Sequence, residues 1–270
     1  MVMKMKLRGN VRNIRWAVQI ASLVFFILIA TAGLCVVTMG SFRVDCVFGA
    51  LQGVFAQPVW VLILPLLIFV ALPVIGTLIL GRAFCGWLCP VGTVLDSFSR
   101  IPRVNFIKIL GNPLNKYVVA TAFLIGSFFL KYPSFCTVCP IKGVCYSAGL
   151  SGVIKPAELA LLAVPVGIEL GEKRGWCRYL CPVGATFAFL SLKKFLGFKV
   201  DTEKCLAGSH AQVCRFCAKA CPTNAITESS YKTGEISRTE CIACGQCYDK
   251  CPTGALKFDK LPLTARAKPN

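Results

Sequence analysis

Two long stretches of the chain carry no charged residue. Between Trp16 and Phe42 the sequence contains IASLVFFILIATAGLCVVTM, and from Pro58 to Leu80 it reads PVWVLILPLLIFVALPVIGTLIL. A helix rises roughly 1.5 Å per residue, so each run is long enough to cross about 30 Å of hydrocarbon. Pro65 and Pro73 are tolerated where neighbouring helices satisfy the backbone. Two further apolar runs are shorter: Tyr117 to Leu130, flanked by Lys116 and Lys131, and Pro156 to Leu170, which contains Glu158 and Glu169. The pattern predicts four membrane-spanning helices, the last two short for a full crossing. Val183 to Phe198 is also apolar but interrupted by Lys193 and Lys194, which predicts an interfacial helix with its amines among lipid head groups. From Lys199 onward the chain is polar, turn-rich and dense in cysteine. The expected architecture is an α-helical membrane domain with four transmembrane helices (1–198), followed by a small α+β cysteine-rich domain (199–270).

Charge orients this arrangement. Lys4, Lys6, Arg8, Arg12 and Arg15 precede the first run, and Arg82, Arg100, Arg103, Lys108 and Lys116 lie between the second and third. The opposite loops carry only Arg43, Lys131, Lys142 and Lys155. Basic loops stay on the cytoplasmic side, so the N-terminus and the cysteine-rich tail are expected in the cytoplasm of a multi-pass inner-membrane protein. The first run is longer than the apolar core of a secretory signal and no A-x-A site follows it, so it reads as an uncleaved anchor. Trp16, Trp60, Trp87 and Trp176 fall near the expected interfaces.

Composition agrees: of 270 residues 56% are apolar and 16% charged, with a mean hydropathy of +0.67, outside the range of soluble or disordered chains. The net charge of +18 is then a feature of the inner membrane face rather than a sign of nucleic acid as a partner. A single histidine, His210, excludes a haem held by two histidines across the membrane.

Seventeen cysteines remain to be explained. A chain this rich in apolar residues has no need of a disulfide scaffold, so the thiols are expected to be ligands. The tail reads Cys205-x8-Cys214-x2-Cys217-x3-Cys221-Pro, then Cys241-x2-Cys244-x2-Cys247-x3-Cys251-Pro. The second run has the bacterial ferredoxin spacing, in which the fourth cysteine reaches the other cluster. Two [4Fe–4S] clusters follow, one on Cys205, Cys214, Cys217 and Cys251, the other on Cys241, Cys244, Cys247 and Cys221, which makes 199–270 a small α+β two-cluster bacterial ferredoxin domain. The first run is stretched by LAGSHAQV, with His210 beside Cys205, and zinc is the alternative occupant of such sulfur sets.

A different repeat lies in the membrane part: RAFCGWLCPVG at 82–92 and RGWCRYLCPVG at 174–184. Residues four apart share one helix face, so Cys85, Cys89, Cys177 and Cys181 together present four thiols at the inner surface. They are candidates for a further cluster with Arg82, Arg174 and Arg178 compensating its charge; the alternative is a packed turn with structural thiols. On the outer side lie Cys46, Cys136, Cys139 and Cys145, read either as another cluster or as disulfides. The loop from Cys136 to Cys145 could re-enter the membrane, buried in protein, which would explain the short flanking spans. Glu158 and Glu169, near the hydrocarbon, are candidates for handling a quinol proton, or are simply solvated helix ends.

Iron–sulfur clusters carry single electrons, so a series of them forms a wire whose ends decide the function. The two motifs FCGWLCPVG and WCRYLCPVG, the four spans and the two-cluster tail together resemble the NapH/MauN family of membrane-bound ferredoxin-type quinol dehydrogenase subunits, with related modules in NosR-like and FixG-like proteins. The resemblance covers nearly the whole chain. It implies quinol oxidation, a quinone as cofactor, and electrons passed on to a reductase or dehydrogenase partner. The expected function is electron transfer within a membrane redox complex, between the quinone pool or an outer-face partner and an oxidoreductase docked on the ferredoxin domain. Two other classes stay open: a maturation or reductive-delivery protein using the outer thiols, and a plain membrane anchor for the ferredoxin.

Overall fold

The computed structural model describes residues 11–31, 38–39, 42–43, 48–49, 51–52, 63–98, 112–132, 134–140, 156–209 and 214–261. In chain order come α1 (Val11–Thr31), a short hairpin of β1 (Thr38–Met39) and β2 (Phe42–Arg43), and α2 (Ile63–Leu80). The first cysteine repeat forms α3 (Ala83–Trp87) and α4 (Pro90–Ser97). Next are α5 (Asn115–Leu130), α6 (Ser134–Val138) and α7 (Pro156–Gly171). The second repeat forms a π-helical turn, Trp176–Leu180, and α8 (Pro182–Leu190). The tail contains β3 (Leu196–Val200), α9 (Leu206–Ser209), α10 (Phe216–Ala220), α11 (Glu228–Thr233), α12 (Gln246–Lys250) and β4 (Leu256–Lys260).

The four expected spans coincide with α1, α2, α5 and α7. Among the described residues one helix, through its Val11–Leu28 stretch, is long and apolar enough to cross a membrane. Helices α5 and α7 have 16 residues each, about 24 Å of rise. The described part of α1 already includes Arg15 and Gln19, ahead of the apolar run and both buried, while Thr38 and Met39, inside the expected span, pair with Arg43 and Phe42 as strand.

These helices are polar inside and apolar outside. On α1, Ile20, Val24, Phe25 and Leu28 are exposed, whereas Arg15, Gln19 and Ser22 are buried. On α5, Val118, Ile125, Phe128 and Phe129 face outward and Lys116 and Ser127 inward; on α2, Leu72 and Ile75 are exposed and Thr77 is buried. A helix in water does the reverse.

Helix α8 does not lie along a surface as expected. It packs between α5 and α2, burying Ala185, Phe187 and Ala188 and leaving Phe189 exposed; of the two lysines expected among head groups, Lys193 is exposed but Lys194 is 2% exposed. A flat apolar run next to two lysines reads the same whether lipid or protein covers it. Strand β3 runs across residues 198 and 199 and pairs antiparallel with β4, from Leu196↔Lys260 to Val200↔Leu256. The tail has its own core of Val200, Ala225, Ile226, Tyr231, Ile236 and Leu256 around the cysteines.

The tail is also fastened to the helical part. Trp87 Nε1 donates to the Ala243 carbonyl at 3.0 Å, Ser191 Oγ to that of Arg238 at 3.0 Å, and the Phe195 amide to that of Leu78 at 3.0 Å. A Cβ on Gly86 would stand 2.5 Å from the Ile242 carbonyl oxygen, so the two backbones touch at a position only glycine permits.

Candidate functional site

The two C-x3-C-P repeats fold alike. In each, the amide of the second cysteine reaches back five residues, Cys89 to the Phe84 carbonyl and Cys181 to that of Trp176, both at 2.9 Å. This wide, π-type closure replaces the α-helical bond. Proline then forces the preceding residue out of the helical region and opens a new helix at its first position. Cys89 accordingly has φ −67°, ψ 121°, and Cys181 φ −70°, ψ 114°. In the tail Cys221 (φ −75°, ψ 115°) and Cys251 (φ −77°, ψ 116°) adopt the same conformation for the same reason. The Gly184 amide donates to Cys181 Sγ at 3.3 Å and the Ala225 amide to Cys221 Sγ at 3.3 Å. The Gly92 amide bonds Cys89 likewise.

The repeats face each other, and each supplies an arginine to the other. Arg174 Nη1 donates to the Cys85 carbonyl at 2.9 Å, and Arg82 Nη2 to the Cys177 carbonyl at 2.9 Å. Room for these guanidinium groups comes from the glycines of the CPVG segments. A Cβ on Gly92 would lie 2.6 Å from Arg174 Nη1, and one on Gly184 would lie 3.1 Å from Arg82 Nη2 and 2.9 Å from the Cys177 carbonyl oxygen. The result is a buried group in which Cys89 and Cys181 each have Cys85 and Cys177 as charged neighbours, between two buried arginines.

The arginines are held by acids. Asp96 receives Arg174 Nε at 3.0 Å and Nη2 at 2.5 Å, Gln19 Nε2 at 2.7 Å, and Arg15. Arg15 Nε and Gln19 Nε2 also donate to the Gly86 carbonyl at 3.0 Å, and Ser22 Oγ to that of Leu88 at 2.8 Å. The polar stripe of α1, at positions i, i+4 and i+7, thus binds the first repeat. On the other side Arg82 Nη1 donates to the Thr239 carbonyl at 2.8 Å and to Glu240 at 3.3 Å, and Glu240 also takes Lys116.

In the tail, Cys247 has Cys244, Cys241, Cys221 and Cys217 as neighbours, and Cys217 has Cys251 and Cys205. The Tyr231 hydroxyl lies among Cys217, Cys205 and Cys214, hydrogen-bonded to Cys217 Sγ at 3.8 Å. Burial pushes the Cys244 thiol up to about 11 and that of Cys247 well above its usual range, with the neighbouring thiols adding to the rise for Cys247. Thiolates so crowded need positive charge among them, which bound iron supplies. Cys85 and Cys244 belong to one packed cluster with Phe187 and Ile242, so a membrane set and a tail set adjoin.

The donors fit [4Fe–4S] groups: all-sulfur sets of four, backbone amides on the sulfurs, and buried cations. Arg82 Nε is a buried donor without an acceptor among the described residues, in a side chain that has Cys85, Cys177 and Cys181 as neighbours. Among the described residues no group of three or more His, Cys, Asp or Glu side chains is arranged to hold a single metal ion. A cube with one iron per thiolate spreads its cysteines more widely than tetrahedral zinc would. No disulfide joins the cysteines among the described residues.

Other expected residues fare differently. Arg178 turns to Glu172 rather than to the thiols. Glu169 accepts the Arg174 amide at 2.7 Å, a structural duty inside the protein rather than at a solvated end. The Glu158 side chain, Cys46, Cys145, the Cys136 side chain and His210 lie outside the described residues, so the outer set is represented by Cys139 alone. Sequence reasoning missed Asp96, Gln19, Glu240 and Tyr231; nothing in their local pattern marks them, although Arg15, Gln19 and Ser22 form a polar stripe ahead of an apolar run. An apolar cavity of about 270 Å³, lined by Phe123, Val138, Leu161, Trp176 and Leu180 among others, adjoins the second repeat.

A family model described as a 4Fe-4S binding domain matches residues 62–108 and 156–200, and one described as a 4Fe-4S dicluster domain matches 211–255. The chain is 30% identical over 225 residues to the uncharacterized protein MJ0750 of Methanocaldococcus jannaschii, covering 79% of this chain and 85% of that one. It is 28% identical to the ferredoxin-type protein NapH of Haemophilus influenzae (71% and 67% covered). It is 26% identical to the methylamine utilization ferredoxin-type protein MauN of Methylobacillus flagellatus (68% and 63% covered). No solved structure matches the chain significantly.

Proposed function

Because the chain belongs to the NapH/MauN-like family of ferredoxin-type iron–sulfur proteins, we propose that it is the integral-membrane electron-transfer subunit of a redox complex. In this reading 1–198 form a four-span domain in the inner membrane and 199–270 a ferredoxin domain on its cytoplasmic side, with the N-terminus on that side too. The apolar outward faces of α1, α2 and α5, wrapped around buried polar residues, support a lipid surrounding.

Three sets of cysteines hold [4Fe–4S] clusters: Cys205, Cys214, Cys217 and Cys251; Cys221, Cys241, Cys244 and Cys247; and Cys85, Cys89, Cys177 and Cys181. A bound cluster supplies one-electron chemistry without a proton. The chain's own residues supply the thiolates, aim amides at their sulfurs, exclude water, and set buried arginines against the negative charge. The observation that carries the reading is the single buried cluster formed by Cys85, Phe187, Ile242 and Cys244, which sets the membrane set beside a tail set. Electrons then pass between the quinone pool or an outer-face partner and an oxidoreductase docked on the ferredoxin domain. The apolar cavity beside Trp176 and Leu180 suits a quinone ring better than any charged substrate.

Iron and acid-labile sulfide per chain, with EPR of the reduced state, test this on anaerobically purified full-length protein. About 12 irons are expected, falling to about 8 in Cys181→Ser; about 16 would add the outer set. A wild-type value of about 8, unchanged in that variant, would reduce the helical part to an anchor.

A further inference from the structure

The two halves of the membrane-side cysteine group are not equally equipped. In the first repeat the acid is built in: Asp96 stands seven residues after Cys89 and holds Arg174. The position seven residues after Cys181 is Ala188, fully buried and unable to carry charge. The arginine on that side, Arg82, is nevertheless paired. Its acid is Glu240, the residue immediately before Cys241 in the tail.

The charges around the two arginines differ accordingly. Arg174 and Arg15 face Asp96, and Glu169 takes the Arg174 amide. Among the described residues Arg82 and Lys116, both completely buried, share one paired carboxylate, Glu240. Arg178, which also faces Lys116, is neutralised by Glu172. Lys194 is a further buried amine facing Arg82, Arg238 and Cys241. Among the described residues Glu240 is therefore the single carboxylate paired with these two buried cations, and one of them touches the backbone of Cys177.

We propose that Glu240 is the counter-ion the second repeat lacks: a positioning residue through which the ferredoxin part completes the group of Cys85, Cys89, Cys177 and Cys181 and sets its redox potential. This rests on the reading that those four thiols hold a cluster. Glu240 and the Thr239 carbonyl hold Arg82 at one end while its other amine bonds the Cys177 carbonyl. The carboxylate also offsets positive charge that would otherwise favour the reduced, more negative centre.

The test is an EPR-monitored redox titration of the full-length chain, with iron content measured in parallel. The signal lost in Cys181→Ser identifies the membrane-side centre. In Glu240→Gln that centre is expected to keep its iron and move to a more positive potential; in Arg82→Gln it moves to a more negative one. With Arg82 already replaced, Glu240→Gln should shift it less than it does alone. Glu240→Asp, which keeps the charge, should stay close to wild type. Should Glu240→Gln by itself fail to retain iron, the Glu240→Gln/Arg82→Gln double variant is expected to recover it, since acid and cation leave together. No shift, a negative shift in Glu240→Gln, equal shifts in both backgrounds, or no recovery in the double variant would each overturn the role of Glu240. If Cys181→Ser leaves wild-type iron unchanged, the cluster reading itself fails, a separate result.

Discussion

At the scale of single residues, the chemistry depends on groups that have no freedom to be otherwise. Asp96 takes Arg15, Gln19 and Arg174 in a site almost closed to solvent. Removing one partner from a buried ion pair strands the other charge, so Asp96→Asn is expected to destabilise the protein by about 3–5 kcal/mol. The exposed pair Arg215–Glu228 makes the contrast: Arg215→Ala should cost about 0–1 kcal/mol. Denaturant titration in detergent followed by tryptophan fluorescence measures both, and similar values would mean that the Asp96 site is wet. Glycine positions give a graded test. Gly92→Ala puts a methyl group 2.6 Å from the Arg174 guanidinium and 2.7 Å from the Cys85 carbonyl oxygen, whereas at Gly184 the nearest atoms are at 2.9 and 3.1 Å. Gly92→Ala should lose about 4 irons per chain and Gly184→Ala fewer, as read by iron analysis. In the tail, Tyr231→Phe removes only the hydroxyl bonded to Cys217. A hydrogen bond to a cluster sulfur favours the reduced form, so the centre on Cys205, Cys214, Cys217 and Cys251 should move to a more negative potential while the other two hold theirs.

At the scale of elements, the inverted helices carry the argument. Helix α1 turns Arg15, Gln19 and Ser22 toward the first repeat and leaves Phe25 and Leu28 outside. In reconstituted bilayers a spin label at Phe25→Cys should therefore report collisions with a lipid-soluble relaxing agent, while one at Ser22→Cys should report protein contact. Equal exposure of both to a water-soluble agent would contradict a lipid-facing helix. Charge-free length located these helices in the sequence; what their buried polar groups meet was not legible. The partners of Arg15 and Gln19 on α1 lie more than sixty residues away. Likewise α8 is one apolar run whether lipid or protein covers it, and only its packing against α5 and α2 decided that Lys194 is buried.

At the scale of the whole molecule, the ferredoxin part and the helical part share a seam in which backbones touch. Gly86 meets the Ile242 carbonyl, Trp87 bonds Ala243, and Cys85 packs with Cys244. Gly86→Ala would push the two parts apart without altering any thiol. The expected outcome is weaker magnetic interaction between the membrane-side centre and the nearer tail centre, visible as sharper EPR lines at unchanged iron content. Lines as broad as in wild type would mean that the seam can absorb a methyl group.

The order of cysteines along the chain determined by itself the expected division of the tail thiols into two sets and the grouping of two C-x3-C-P repeats in the membrane part. Spacing and Cys-Pro dipeptides act through local backbone geometry, which a few neighbouring residues dictate. The long charge-free runs likewise determined where the helices lie, because length and hydrophobicity are local properties. Only the tertiary structure decided that the repeats exchange arginines, that α1 serves the first repeat, and that Glu240 stands where Ala188 leaves a charge unmet. Each of these is a contact between distant segments, and its physical cause is burial. A charge excluded from water must find its opposite wherever the fold brings one, and nothing in the local sequence says where that is.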